Sequence, residues 1–257
     1  GHFTYYASRL RSKLPAERQK LFADDYKNVL NNKHILKIGR TYDVDRDLII
    51  LHADKVSAAY QWDGTRIPNE KLETLYPEPV SFDMEKMINI GDLWWVPAAI
   101  ALHYGLNSKE TYQAFLKTRE YMKGPNYDIN QVPGLREILS KLRNNLKLIL
   151  MTNSPRPDSE AILDKLSLNS LFDLKIFNAG KPALTQKQFM KLSEKLEIDY
   201  PEILSIGDNY LNEILPAKQL GCKTIFIDSY KLGLEEEEEF YVKSCSQLVD
   251  YLQSLVI

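Results

Sequence analysis

The sequence predicts an α/β fold, a Rossmann-like three-layer core built on a parallel sheet, with a smaller helical domain ahead of it. Three observations predict this. From residue 133 onward, short apolar runs alternate with amphipathic stretches of helical length. The runs are near-continuous Leu, Ile, Val and Phe, which marks strands buried on both faces of a parallel sheet. Three of these runs end in polar clusters, at the carboxyl edge where open α/β sheets bind their ligands.

Taken in order, residues 15–32 read as an amphipathic helix. Pro15 suits its first turn, and Leu21, Phe22, Val29 and Leu30 form its apolar stripe. Residues 35–67 read as β structure, with runs at 35–38, 48–51 and 56–62. Residues 84–122 read as helical and are interrupted at Gly105. Trp94-Trp95 opens the most apolar part of that stretch and fits a core or a pocket lining. From Pro133-Gly134 the expected order is helix 135–142, strand 146–151, helix 159–166, strand 174–177, helix 186–196, strand 203–206, helix 212–220, strand 224–227 and helix 246–255. The acidic run 235–239 reads as a solvated surface.

The chain of 257 residues has room for one large domain or a core with a smaller inserted one. A hydrophobic content of 44% is enough to bury such a core. A formal net charge of −2 supplies no basic field for nucleic acid or an anionic membrane. No apolar run approaches the roughly 20 residues of a membrane span, and the N-terminal residues show no signal-peptide pattern. Cys222 and Cys245 make no disulfide framework and fit a reducing compartment. The expectation is a cytoplasmic protein without nucleic-acid or membrane partners; no pattern specifies an oligomeric state. His34, His52 and His103 lack metal-ligand spacing and read as structural.

The chemistry sits at three strand ends. After the first lies Met151-Thr152-Asn153-Ser154-Pro155, where a hydroxyl and turn amides can grip a phosphate oxygen. Gly180-Lys181-Pro182 places an ammonium just before a helix, able to offset charge in phosphoryl transfer. Ile206-Gly207-Asp208-Asn209, with Asn212-Glu213, places carboxylates suited to Mg2+ at the third. Each fragment alone is more often a turn, a loop or a helix cap. Their joint order at successive strand ends is what points to a site.

In that order the clusters resemble the haloacid dehalogenase superfamily, and especially its phosphoglycolate-phosphatase-like members. The likeness runs from Val132 to about Asp228. Val132-Pro133-Gly134-Leu135 resembles the helix start before the second family motif, and residues 148–153 resemble that motif. The resemblance implies that Thr152 and Asn153 bind phosphate and that Lys181 neutralises it during catalysis. It implies that Asp208 binds Mg2+ directly and Glu213 through water, with Glu213 standing where the family usually has Asp. It also implies a small phosphomonoester substrate and a helical cap. Residues 1–69 are then an N-terminal extension with the first core strand and flap, 70–130 the cap, and 131–257 the rest of the core.

Catalysis in the family starts from Asp-x-Asp after the first strand, a nucleophile and an acid–base. Three segments compete for this role. Gln61-Trp62-Asp63-Gly64-Thr65 is the literal match, with Gln61 in the nucleophile's place and Asp63 beside the metal; it also reads as a hairpin turn. Asp43-Val44-Asp45 has both acids but no Gly-Thr, and also reads as an acidic turn. His52-Ala53-Asp54 follows the most apolar run, with His52 in the nucleophile's place. The functional expectation is a Mg2+-dependent phosphatase using Asp43 and Asp45. The alternatives are a catalytically impaired binding or regulatory protein, if Gln61 holds the position, and a dehalogenase or phosphonate hydrolase on the same fold.

Overall fold

The computed structural model describes residues 1–52, 55–82, 85–125, 127–230 and 240–255. Asp54 of the third nucleophile candidate and the acidic run 235–239 lie outside them. The chain divides into two compact units, Gly1–Tyr121 and Met122–Ile257.

The first unit contains α1 (His2–Arg11), α2 (Ala16–Leu30), β1 (Thr41–Asp43), β2 (Leu48–His52), β3 (Val56–Tyr60), α3 (Asn69–Leu75), β4 (Met87–Asn89), α4 (Trp95–His103) and the start of α5 (Ser108–Lys123). Its sheet has the order β3-β2-β1-β4 and is antiparallel throughout. Both faces of its central strands are covered. Tyr42, Ile49 and Ile88 pack with Leu10, Phe22 and Ile100 on one side, and Leu48, Ile50 and Ala59 pack with Leu72 on the other. Antiparallel pairing of β1 with β4 brings residues 41–43 and 87–89 into one sheet.

Three local expectations are corrected. In α2 only Phe22 and Val29 are buried, whereas Leu21 and Leu30 are 50% and 49% exposed; a step of 100° per residue turns these neighbours away from the core. Residues 35–38 form no strand, because a turn with Arg40 N donating to Lys37 O at 3.2 Å delays the first strand to Thr41. Residues 87–89, expected to be helical, form β4. Trp94 packs with Phe3, Tyr6 and Phe115 in the core of the unit.

A second cluster ties α2, the β1–β2 turn and α4 to Trp62. The Trp62 indole and the Tyr104 hydroxyl donate to Asp25 Oδ2 at 2.9 and 2.6 Å. His103 stacks on Trp62 with ring centres 3.9 Å apart and pairs with Asp47 at 2.7 Å. His34 lies against the edge of Trp62, and its Nδ1 accepts from Leu36 N at 2.9 Å. That bond requires an unprotonated Nδ1.

The second unit alternates α6 (Leu135–Leu142), β5 (Ile149–Met151), α7 (Arg156–Lys165), β6 (Leu174–Ile176), α8 (Thr185–Leu196), β7 (Leu204–Gly207), α9 (Leu215–Gln219), β8 (Lys223–Ile227), β9 (Tyr241–Val242) and α10 (Cys245–Ser254). Among the described residues every ladder is parallel: β5 with β6, β7 with β8 and β8 with β9. Consecutive residues point to opposite faces of a strand. Accordingly Leu148 joins the cluster under α6 and α10, while Ile149 joins the one under α8 and α9. Helices therefore cover both sides, as the near-continuous apolar strands require. Among the described residues no helix is long and apolar enough to cross a membrane.

Burial lowers the pKa of His34 below 6.5, outweighing the opposing effect of Asp25. The unfolded chain therefore takes up this proton at higher pH than the folded unit, so stability falls as pH drops below about 6.5. All three tryptophans, Trp62, Trp94 and Trp95, lie in the first unit, and their emission reports its unfolding. The denaturant midpoint followed by this emission should fall between pH 7.5 and 5.5. His34→Asn, which keeps an acceptor for Leu36 N, should flatten the dependence; an unchanged slope would sink the assignment.

Candidate active site

The carboxyl ends of β5, β6 and β7 present the polar residues of the second unit. After β5 the chain turns at Thr152, whose Oγ1 accepts from Ser154 N at 3.1 Å. The hydroxyl hydrogen is left to donate to a ligand. Backbone bonds tie this turn to the segment after β6: Ala179 N donates to Thr152 O at 3.0 Å and Asn178 N to Ser154 O at 3.2 Å.

Asn153, expected at the phosphate, is bonded to the lysine segment. Its Nδ2 donates to Lys181 O at 2.9 Å and its Oδ1 accepts from Lys181 N at 2.8 Å. The side-chain amide thus clamps the backbone of the lysine segment and sets where Lys181 starts. The Lys181 ammonium donates to Met151 O at 3.2 Å and to Glu213 Oε1. Its side chain is 8% exposed and that of Glu213 19%, so the pair is largely withdrawn from water. A buried pair of this kind holds only with good geometry and further hydrogen bonds, and Glu213 has them. Its Oε2 accepts from Asn209 N at 3.0 Å, and its backbone oxygen accepts from the Ser205 hydroxyl at 2.8 Å.

Gly207 makes this approach possible. A Cβ on residue 207 would collide with Glu213 Oε2 and stand 2.7 Å from Glu213 Cβ. The following segment, Tyr210–Ile214, is a π-helical turn rather than the start of the expected helix, and α9 begins only at Leu215. Wide turns of this kind often occur at functional sites. Asn209 caps it, accepting from Asn212 N at 3.2 Å.

Asp208 follows β7 beside Glu213. It is exposed, yet many protein atoms surround its carboxyl. This crowding, then the charge of Glu213, raises its carboxyl pKa above the ordinary value, against the smaller opposing effect of Lys181. Contact with water screens the effect. The charge of Asp208 is also felt at Cys245, whose thiol pKa is raised first by burial and then by Asp208. Sequence reading missed Ser205, which steadies Glu213, and Cys245, which lies far along the chain. Ser205 was legible as a polar break in an apolar strand; Cys245 left no signal.

The nucleophile candidates lie in the first unit. Asp43 ends β1 and is 1% exposed. Its Oδ1 accepts from Arg46 N at 3.1 Å, and its Oδ2 accepts from Arg46 Nη1 at 3.1 Å and from the Tyr76 hydroxyl at 2.7 Å. Asp45 pairs with Lys86 at 3.0 Å on the surface. Gln61 and Asp63 form a turn after β3, closed by Gly64 N donating to Gln61 O at 3.0 Å, with Gly64 at φ +91°. Thr65 N donates to Asp63 Oδ1 at 2.8 Å, and this bond holds the Asp63 carboxyl below its usual pKa. His52, in the third candidate, shares a hydrogen bond with Thr41 at 2.9 Å.

A model of the haloacid dehalogenase-like hydrolase family matches residues 97–227, just over half of the chain. The chain belongs to the haloacid dehalogenase-like hydrolase family. A predicted phosphoglycolate phosphatase from Haemophilus somnus is similar in structure, with 17% identity, coverage of 62% of this chain and 75% of its own, and a TM-score of 0.50. The HAD-hydrolase YfnB from Bacillus subtilis, bound to magnesium, shares 16% identity over 60% of this chain and 68% of its own, with a TM-score of 0.47. A HAD phosphatase from Thermococcus onnurineus shares 18% identity over 58% of this chain and 82% of its own, with a TM-score of 0.40. At such identities the likeness speaks for the fold alone. No match is found among curated proteins.

In this hydrolase, Gly207→Ala should push Glu213 off Lys181 and destabilise the second unit by about 1–3 kcal/mol, as overpacking does. The destabilisation is read as a lower melting temperature in far-UV circular dichroism. A variant as stable as the parent would show that the Glu213 placement is not constrained by residue 207.

Proposed function

We propose that this hydrolase is a Mg2+-dependent phosphatase acting on a small phosphomonoester. The observation that carries the reading is the Lys181 ammonium, held between Met151 O and Glu213 at the end of the parallel strands and electrostatically coupled to Asp208. Such a cation, fixed before substrate arrives, stabilises the charge of a phosphoryl group without reorganising. Thr152 supplies a hydroxyl donor on the neighbouring turn, and Asn153 is a positioning residue that fixes the Lys181 backbone.

The donor set fits a hard divalent ion. Asp208 is an oxygen donor open to water, and the charge of Glu213 beside it favours a cation. Among the described residues no three or more His, Cys, Asp or Glu side chains are grouped to hold a metal. Mg2+ commonly keeps several waters and binds through one or two carboxylates plus phosphate oxygens. In this reading Asp208 holds the ion. Glu213 keeps to Lys181 and Asn209 N, so it acts on the ion through charge. Bound there, Mg2+ would draw charge from the phosphoryl oxygens. Asp43, with both oxygens taken, and Asp45, paired with Lys86, have no chemical role in it. A cytoplasmic location is part of the same reading and rests on two unpaired cysteines.

A second reading, a phosphate-binding protein without turnover, is favoured by the full commitment of Asp43 to Arg46 and Tyr76. Release of p-nitrophenol from its phosphate ester separates the two. Phosphatase action predicts turnover that EDTA abolishes, Mg2+ restores and Asp208→Asn reduces about 100-fold or more. Turnover that survives both EDTA and Asp208→Asn overturns the Mg2+ site. Saturable binding of inorganic phosphate that Lys181→Met weakens, with no turnover at any Mg2+ concentration, selects the second reading.

A further inference from the structure

The second unit has another polar concavity, of about 400 Å³, lined by Arg136, Asp164, Ser167, Asn169, Ser170 and Lys175. Ser167, Asn169 and Ser170 precede β6, whereas Thr152 and Lys181 follow β5 and β6. Because the strands run parallel, the concavity and the candidate active site lie toward opposite ends of this ladder.

Its charges are arranged without being cancelled. Arg136 Nε donates to Ser167 O at 3.1 Å, which fixes the guanidinium and leaves its two outer nitrogens to other acceptors. Lys175 donates to Asn169 Oδ1, and Asn169 Nδ2 donates to Asp164 Oδ1 at 2.7 Å. The acid therefore steadies Lys175 through the amide instead of neutralising it by contact. Neither Arg136 nor Lys175 forms an ion pair with a carboxylate among the described residues. Two cations against one acid leave the concavity positive. Ser167 and Ser170 also line it, and a serine hydroxyl can serve as a neutral donor. A cation would meet two fixed positive charges, and an apolar ligand would strip water from charged groups at a cost nothing repays. A tetrahedral oxyanion matches both the charge and the donor geometry, since an arginine fork and serine hydroxyls suit its oxygens.

We propose that this concavity is a binding site for an inorganic oxyanion, separate from the phosphatase site. Lys175 and Arg136 supply the charge, and the two serines supply the neutral donors. The site does not depend on the phosphatase reading.

Sulfate is the probe, titrated into the 15N-labelled protein with chloride exchanged to hold ionic strength constant. The expected result is a saturable shift of the Asn169 and Ser170 amides. Lys175→Gln should weaken it about fivefold, the size of one exposed charged contact, and Arg136→Gln with Lys175→Gln should abolish it. Asp164→Asn should tighten it by removing the opposing charge. Linear, unsaturated shifts overturn the site, as do shifts unchanged in the double variant. Shifts confined to residues 152–154 and 181 also overturn it, because the ion then occupies only the phosphatase site.

Discussion

The arrangement at the carboxyl edge of the second unit depends on where the Lys181 ammonium sits. A buried ion pair is a poor source of net stability, because desolvation offsets much of the attraction. What the Lys181–Glu213 pair supplies is position. Asn153 grips the lysine backbone from the β5 turn, and Met151 O and Glu213 grip its ammonium. The ends of β5 and β7, which belong to separate ladders, are thereby linked through one side chain. Gly207 and the π-helical turn are the local backbone conditions for that link: one removes a Cβ, the other brings Glu213 back over the strand end.

Two carboxylates, Asp43 and Asp208, stand in opposite surroundings. Asp43 is sealed at 1% exposure, and each oxygen meets donors from its own unit. Such an acid, sealed from water with donors on both oxygens, reaches a ligand only by breaking into its own surroundings. Asp208 is in the opposite condition: it is exposed, and crowding by protein atoms, then the charge of Glu213, raises its pKa. Like charges held close are a standing demand for a cation. By sequence Asp208 was the acid after an apolar strand, whereas Asp43 was one of three competing candidates and followed a run that contains Lys37 and Arg40.

The second unit was legible because its signals are local. An apolar run followed by a polar turn defines a parallel strand end, and eight of its helices and strands lie close to the expected segments. Thr152 and Asp208 stand at the polar turns directly after such runs, and Lys181 lies four residues beyond one. The role of Asn153 was not, because a side chain that clamps a distant backbone has the same sequence signature as one that touches a ligand. The first unit was less legible. Its strands are three to five residues long, and Met87–Asn89 becomes a strand only by pairing with Thr41–Asp43. Pairing across that distance leaves no periodicity in the sequence. The Asp63-Gly64 pair carried two meanings, a catalytic motif and a turn. The turn is formed, with Gly64 at φ +91° and Thr65 N on Asp63.

The length of the glutamate side chain at position 213 has a structural counterpart. From a backbone held by Ser205 at the oxygen of residue 213, the carboxylate reaches Asn209 N with one oxygen and Lys181 with the other. An aspartate there would be one C–C bond shorter, about 1.5 Å, and would have to give up one contact or pull the π-helical turn inward toward Gly207. Space above Gly207 is already filled by the glutamate side chain. The longer acid, the wide turn and the bare glycine are therefore three parts of one solution. Together they keep a carboxylate beside Asp208 while leaving Asp208 itself free to face solvent.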